Sequence, residues 1–352
     1  MKVKVADILV KLEEDHQSSL LPVLAARLRL APEKIKSFRV CRKSLDARKK
    51  SQFFYNYTLI AELERPLPGV PAWRESDTAL PPGRKLEERP LIVGFGPAGM
   101  FAALALVELG EKPLIFERGR RLDQRHQDIE KFYRQQFLDP DSNVQFGEGG
   151  AGAWSDGKLL SRTKEHFFLE KFLSSLVRFG APPEITYQHK PHLGTDGIRR
   201  VVKRIREFLL DQGAEIHFES KMTGLLTRNG ALAGIEINGR EKYHSPHLLL
   251  AAGHSARDTL EMLQAAGLPL EAKPFALGTR LEHPRSLIDL MQYGPKYAGR
   301  AGLGAADYAL THNDPRSGRG AFSFCCCPGG EILAAASEPG GSVVNGMSQA
   351  AR

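Results

Sequence analysis

The run Pro90–Arg118, PLIVGFGPAGMFAALALVELGEKPLIFER, leaves this chain few folds to choose from. Leu91-Ile92-Val93 reads as a buried parallel strand, and Gly94-Phe95-Gly96-Pro97-Ala98-Gly99 follows it directly. An Ala- and Leu-rich helix then leads through Gly110 to a second apolar run, Leu114-Ile115-Phe116, closed by Glu117. This is the pattern of a dinucleotide-binding βαβ unit. Gly94 permits the tight turn out of the strand, Gly96 leaves room for a pyrophosphate, and Gly99 lets helix and strand pack closely. The first helical turn, Pro97-Ala98-Gly99, offers unpaired amides and a partial positive charge to the phosphate. Glu117, about 18 residues beyond Gly99, stands where a carboxylate takes both ribose hydroxyls. On these residues alone the ligand is a dinucleotide, FAD or NAD.

At 352 residues the chain exceeds one ordinary domain, and 42% hydrophobic with 26% charged residues is the make-up of a protein with a sizeable core. No apolar run approaches the roughly 20 residues of a membrane-spanning helix. The start, MKVKVADILVKLEED, interrupts its apolar residues with charge, unlike a signal peptide. Three of the four cysteines are adjacent, so no disulfide framework is legible and a reducing cytoplasm is expected.

Residues 1–65 read as a small basic α+β module: a strand over Lys2–Leu12, a helix capped at Ser18-Ser19, and strands over Ser37–Arg42 and Phe53–Leu63. The basic loop Arg42–Lys50 beside the aromatic strand is a combination that could hold single-stranded nucleic acid. A lysine-rich turn beside an ordinary strand accounts for the same residues. Residues 66–89, rich in Pro and Gly, form a linker. A dinucleotide-binding domain over 90–273 follows, and 274–352 starts a β-rich region.

Within the large domain, the glycine-rich segment 147–158 contains five glycines between Gly147 and Gly157, among them Gly149, Gly150 and Gly152. It presents bare backbone to a flat or charged ligand, with Ser155, Asp156 and Lys158 as polar contacts. Thr195-Asp196 caps a helix with apolar residues at helical spacing, ended by Gly213. Asn229-Gly230 and Asn238-Gly239 mark the turns of a three-stranded meander. It leads into the strand HLLLAAG, 247–253, and a helix from about Ala256 to Ala266. Cys325-Cys326-Cys327 invites a redox or metal reading, but adjacent cysteines suit neither a relaxed disulfide nor a metal site, and strand-end cysteines account for them. No metal site is expected, and catalytic residues are not legible. No second glycine fingerprint with strand, helix and acid is present, so NAD(P)H, if it donates electrons, has no dedicated domain.

The ensemble of Glu117-Arg118-Gly119, helix, meander and returning LLLAAG strand resembles the FAD-binding fold of the glutathione-reductase superfamily. More narrowly, GEGGAGAWSDGKL (147–159), PHLGTDG (191–197), EHPR (282–285), QYG (292–294), FCCCPGG (324–330) and the N-terminal SLDARKK (44–50) resemble the NAD(FAD)-utilising dehydrogenases, largely uncharacterised bacterial FAD-dependent proteins. The resemblance implies an α/β fold: a Rossmann-like FAD-binding domain with a β-meander, a small α+β module before it, and part of a second, β-rich domain after it. It implies FAD as cofactor, with Gly94, Gly96, Pro97, Ala98 and Gly99 at the pyrophosphate and Glu117 and Arg118 at the ribose. Gly149, Gly150, Ala151, Gly152, Ser155, Asp156, Gly157 and Lys158 would run toward the flavin. Met222 and Ala252-Gly253 would lie at the adenosine half. The superfamily's late glycine segment that covers the flavin is not found before Arg352, so a truncated chain is expected. The implied function is an FAD-dependent oxidoreductase of unknown small-molecule substrate. A flavoprotein acting on RNA through its basic module and an NAD-dependent Rossmann dehydrogenase are the alternatives.

Overall fold

The computed structural model describes residues 1–75, 78–159, 163, 165–300, 302–323, 326–327 and 329–350. The chain opens with strand β1 (Lys2–Lys11), helix α1 (Gln17–Leu28), and strands β2 (Ile35–Asp46) and β3 (Phe54–Leu63). These make an antiparallel sheet of order β1-β3-β2. Val3 and Val5, then Ile8 and Val10 beyond a bulge in β1, face inward and pack on Leu20 and Leu24 of α1. Two expectations shift here. Helix α1 starts at Gln17 after His16, so Ser18 and Ser19 lie in its first turn instead of capping it. The residues read as a basic loop continue β2 as far as Asp46, because pairing with β3 carries on to Phe54.

The aromatic strand β3 has Phe54 and Tyr55 half-buried at its start. Phe53, just before it, and Tyr57 are buried. Lys43 sits 4.0 Å above the Tyr55 ring and pairs with Asp15 at 2.7 Å, and Asp15 also accepts the Tyr57 hydroxyl at 2.5 Å. The module is tied to the rest of the chain through Phe53, which stacks on Tyr297 with ring centroids 4.1 Å apart.

The central sheet begins with β4 (Leu91–Val93), followed by α2 (Pro97–Glu108), β5 (Leu114–Phe116), α3 (Leu122–Gln135), α4 (His166–Arg178), α5 (Gly194–Asp211) and β6 (Glu215–His217). The meander is β7 (Met222–Arg228), β8 (Ala231–Ile237) and β9 (Glu241–His244), after which β10 (Leu248–Leu250) returns to the sheet. Its four strands are all parallel, in the order β10-β4-β5-β6. Alternation in β4 decides how the layers stack. Ile92 faces α2, α4 and α5, packing with Ala103, Leu176 and Val202. Leu91 and Val93 face the meander, packing with Met222, Ile235 and Ile237. Each such fully buried side chain contributes about 1.5–3 kcal/mol, so the sheet is held from both faces. Helix α5 begins at Gly194 with Leu193 before it and has no side-chain cap, so Thr195-Asp196 falls inside its first turn.

Beyond the sheet come α6 (Arg257–Ala265), α7 (Arg285–Tyr293), the hairpin β11 (Thr311–Asn313) with β12 (Gly320–Phe322), and the hairpin β13 (Glu331–Ala334) with β14 (Val344–Met347). Among the described residues, no helix is long and apolar enough to cross a membrane.

Candidate functional site

The carboxyl ends of β4, β5 and β10 open onto a cavity of about 350 Å3. Its floor is the turn from β4 into α2. Gly94 has φ +100°, and a Cβ there would stand 2.3 Å from the Ala251 carbonyl oxygen, so only glycine fits. A Cβ on Gly99 would stand 1.9 Å from the Gly94 carbonyl oxygen, which is the close packing of helix on turn. Gly96 differs from both. An added Cβ would meet only Gly150, at 3.6 Å, so Gly96 and Gly150 lie bare backbone against bare backbone, and both line the cavity. Pro97 and Ala98, in the first turn of α2, also line it, and the leading amides of that turn have no carbonyl within the helix to bond.

Glu117 ends β5 and is buried at 4% exposure. Its Oε2 accepts the Phe95 amide at 2.7 Å. Its Oε1 accepts the amides of Gly119 at 3.0 Å and Gly147 at 2.9 Å. A carboxylate has about four acceptor positions, and these three amides leave one of them open. Glu117, expected from the sequence to take both ribose hydroxyls, joins three loops through these bonds.

Arg118 lies over the Phe146 ring at 4.4 Å, bonded to Asp258 at 2.8 Å and to the Thr259 hydroxyl at 3.1 Å. Lys221 reaches the same Asp258 at 2.6 Å. Burial alone would raise the Asp258 carboxyl, but the Arg118 and Lys221 bonds outweigh it and hold it at about 2.

Beneath the cavity, Arg125 is fully buried and donates to the carbonyls of Asn143 at 2.7 Å, Val144 at 2.9 Å and Glu148 at 2.6 Å. Burial lowers its guanidinium to about 9, still charged at neutral pH. Glu148, also fully buried, accepts from Arg206 at 2.7 Å and from the Leu122 amide at 2.9 Å. Burial pushes its carboxyl upward against these bonds.

Of the residues singled out from sequence, Gly94, Gly96, Pro97, Ala98, Glu117, Arg118, Gly150, Ala151, Gly152, Met222, Ala252 and Gly253 line this cavity. Gly99 and Gly149 do not: both are spent on packing, Gly149 against Ala153 and Val202. Ser155, Asp156, Gly157 and Lys158 are also elsewhere, because the chain turns away after Trp154 toward α5 and the 327–348 region. The Ser155 carbonyl accepts the Thr195 hydroxyl, and Gly157 packs on Gly194. Asp156 accepts the Cys327 thiol at 2.9 Å and pairs with Lys158 at 2.7 Å. Burial would raise Asp156, yet the Cys327 and Lys158 bonds bring it below the ordinary carboxylate value. Cys326 contacts the Tyr308 carbonyl at 3.6 Å, and Cys325 lies outside the described residues. Sequence reasoning missed Gln145, Phe146, Ser220, Ala251, His254, Ser255 and Thr259 in the lining. Only Ala251, His254 and Ser255 had a signal, as the flanks of Ala252-Gly253.

The chain is therefore a mixed α/β protein whose parallel sheet carries a glycine-floored cavity at its strand ends. It is 41% identical over 362 residues to an uncharacterized protein of Clostridium beijerinckii, an alignment covering 100% of this chain and 67% of the relative. The chain belongs to the family of that protein. Residues 274–352 match the family described as "FAD-dependent protein, C-terminal domain-like", and residues 2–62 match a domain of unknown function. Among solved structures it is similar to L-amino acid deaminase from Proteus vulgaris, at 13% identity over 57% of this chain and 61% of that one, with a TM-score of 0.32. It is also similar to L-proline dehydrogenase from P. horikoshii, at 14% identity over 53% and 58%, with a TM-score of 0.29. The chain thus spans less than two thirds of those structures.

Proposed function

We propose that this chain is the cofactor-holding part of an FAD-dependent oxidoreductase, built on a Rossmann-like unit of the glutathione-reductase type. FAD is the cofactor, in keeping with the family that residues 274–352 match. The observation that carries the reading is the facing pair of bare backbones at Gly96 and Gly150, set at the N-terminus of α2. Such a cradle fits a pyrophosphate, whose charge the helix end and leading amides of α2 favour. Glu117 has one acceptor position for a ribose hydroxyl, while Phe146 and Met222 give the neighbouring wall an apolar surface. Bound there, FAD would supply hydride and electron transfer. The protein's part is to hold the dinucleotide, and the fixed Arg118–Asp258 pair keeps Arg118 from serving as a free counter-charge for a 2′-phosphate. The substrate is a small molecule, NAD(P)H is a candidate electron donor, and the setting is the cytoplasm.

The test is the visible spectrum of the purified protein. Bands near ~370 and ~450 nm, a property of oxidised flavin rather than of the polypeptide, are the expected result. A colourless protein that binds NAD and not FAD would overturn the assignment in favour of a nicotinamide dehydrogenase.

A further inference from the structure

We infer that the chain carries a second ligand site, outside the cavity: a basic groove between α3 and α5 that takes a multiply charged phosphoryl group of a small molecule. The groove has a volume of about 350 Å3 and is lined by Leu122, Asp123 and His126 from α3 and by Arg199, Arg200, Lys203 and Arg206 from α5. Positions 199, 203 and 206 are spaced i, i+4, i+7, which stacks their side chains along one helix face.

What the basic side chains already bond to decides what the groove can accept. Arg206 is committed to Glu148 at 2.7 Å and contributes little charge outward. Arg200 stands 4.0 Å from Asp196, at the limit of an ion pair. Among the described residues, no carboxylate makes ion-pair contact with Arg199 or Lys203. Arg199 is nonetheless held in place, since its Nε donates to the Ala153 carbonyl at 2.9 Å and its guanidinium lies 4.2 Å from the Trp154 ring. That leaves its terminal nitrogens oriented without fixing them to an acid. The lining contains one acid, Asp123, while His126 stands 3.8 Å from Glu130. Positive charge is thus in excess, and it is partly pre-positioned.

An oriented guanidinium beside a flexible ammonium suits a phosphoryl group, which accepts a forked pair of N–H bonds and a point charge together. One carboxylate would leave the excess charge unmatched. A plain solvated face would be expected to leave its arginines free, whereas here the Arg199 guanidinium is stacked and bonded from behind. The groove also backs on the FAD cavity. The short turn Gly150–Trp154 lines the cavity with Gly150, Ala151 and Gly152 and meets Arg199 through Ala153 and Trp154. The inference stands on the groove itself and does not need the cavity to hold FAD.

Trp154 provides the readout. The chain has two tryptophans, so Trp73→Phe leaves Trp154 as the sole emitter, in contact with Arg199. Inorganic pyrophosphate titrated into this variant should change its emission saturably. Lys203→Gln, at a side chain with no ion pair to lose, should weaken the response, and adding Arg199→Gln should weaken it at least about tenfold, or roughly 1.4 kcal/mol. Gly96→Val, which changes the cavity and touches no residue of the groove lining, should leave it in place. Three results would overturn the proposal: no saturable response, a response abolished by Gly96→Val but not by the groove substitutions, or equal affinity for an oligoglutamate of matching charge. A protein with Gly96 unchanged that binds no FAD while the Trp154 response is intact would count against the cavity reading alone.

Discussion

Glu117 accepts the amide of Gly147, thirty residues further along the chain, at 2.9 Å. The same carboxylate holds Phe95 and Gly119, so the end of β5 fastens the turn into α2 to the glycine-rich segment. The acid that would read a ribose is therefore also the clasp of the site.

Glu117→Ala should then cost stability as well as affinity. Three buried amides lose their acceptor, and each such loss costs about 1–3 kcal/mol before relaxation. A net destabilisation of about 2–4 kcal/mol in urea unfolding is expected, with FAD binding weakened in a fluorescence titration. Glu117→Gln, which keeps one carbonyl oxygen, should fall between. Unchanged unfolding in the alanine variant would show that the clasp contributes nothing.

Gly96→Val and Gly99→Ala should part company. At Gly96 the backbone is unstrained and the new carbons project toward Gly150 and the cavity, so the protein should fold and lose dinucleotide binding. At Gly99 the smaller substitution drives a Cβ to within 1.9 Å of a backbone oxygen, so the fold itself should suffer. Thermal melts with flavin content separate the two. Undiminished flavin in Gly96→Val would remove the cradle from the proposal.

Asp258 predicts a pH dependence. Its folded pKa is held at about 2, below the ordinary aspartate value of 3.8. Between those values the unfolded chain binds more protons, so stability rises with pH there and is lost as pH falls through the window. The group is partly exposed, and solvent screening makes the effect small. Comparing acid unfolding of the wild type with that of Asp258→Asn should show a shallower slope in the variant between about pH 4 and pH 2. Identical slopes would mean that the Arg118 and Lys221 contacts are not maintained in solution.

Arg125→Met should loosen the 143–148 loop. Three carbonyls lose their donor and the buried carboxylates Glu117 and Glu148 lose a neighbouring positive charge. Breaking a buried charged network costs about 3–5 kcal/mol. The variant should melt earlier and be cleaved at this loop in limited proteolysis. Wild-type resistance would place the loop's support elsewhere.

The β4–α2–β5 unit was legible because strand, turn, helix and closing acid fall within thirty residues, although Gly94 also answers to Ala251 and Gly96 to Gly150. The meander was legible for the same reason: Asn229 and Asn238 both take positive φ at their turns. Helix α3 was not, since LDQRHQDIEKFYRQ is mostly polar and its buried side includes Arg125 and Asp128. An arginine enters a core only when acceptors are waiting for it, and those come from a loop some twenty residues away. The glycine-rich segment was half legible. Its first part lines the cavity as read, but nothing in its composition indicates that Asp156 and Lys158 follow the chain toward Cys327, a contact spanning 171 residues. Phe146, Ser220 and Thr259 reach the cavity only through the packing of distant elements.

The stacking of Phe53 on Tyr297 has a consequence for how the protein is made. The two residues are separated by 244 positions, and Phe53 is fully buried once they meet. The N-terminal sheet has its own apolar core on α1 and can close as soon as β3 leaves the ribosome. Phe53 must then wait for Tyr297 to be translated, an interval on the order of 10–50 seconds at typical elongation rates. During that interval a nascent chain displays a finished module with one aromatic ring uncovered, an apolar surface open to wrong contacts until the partner ring arrives.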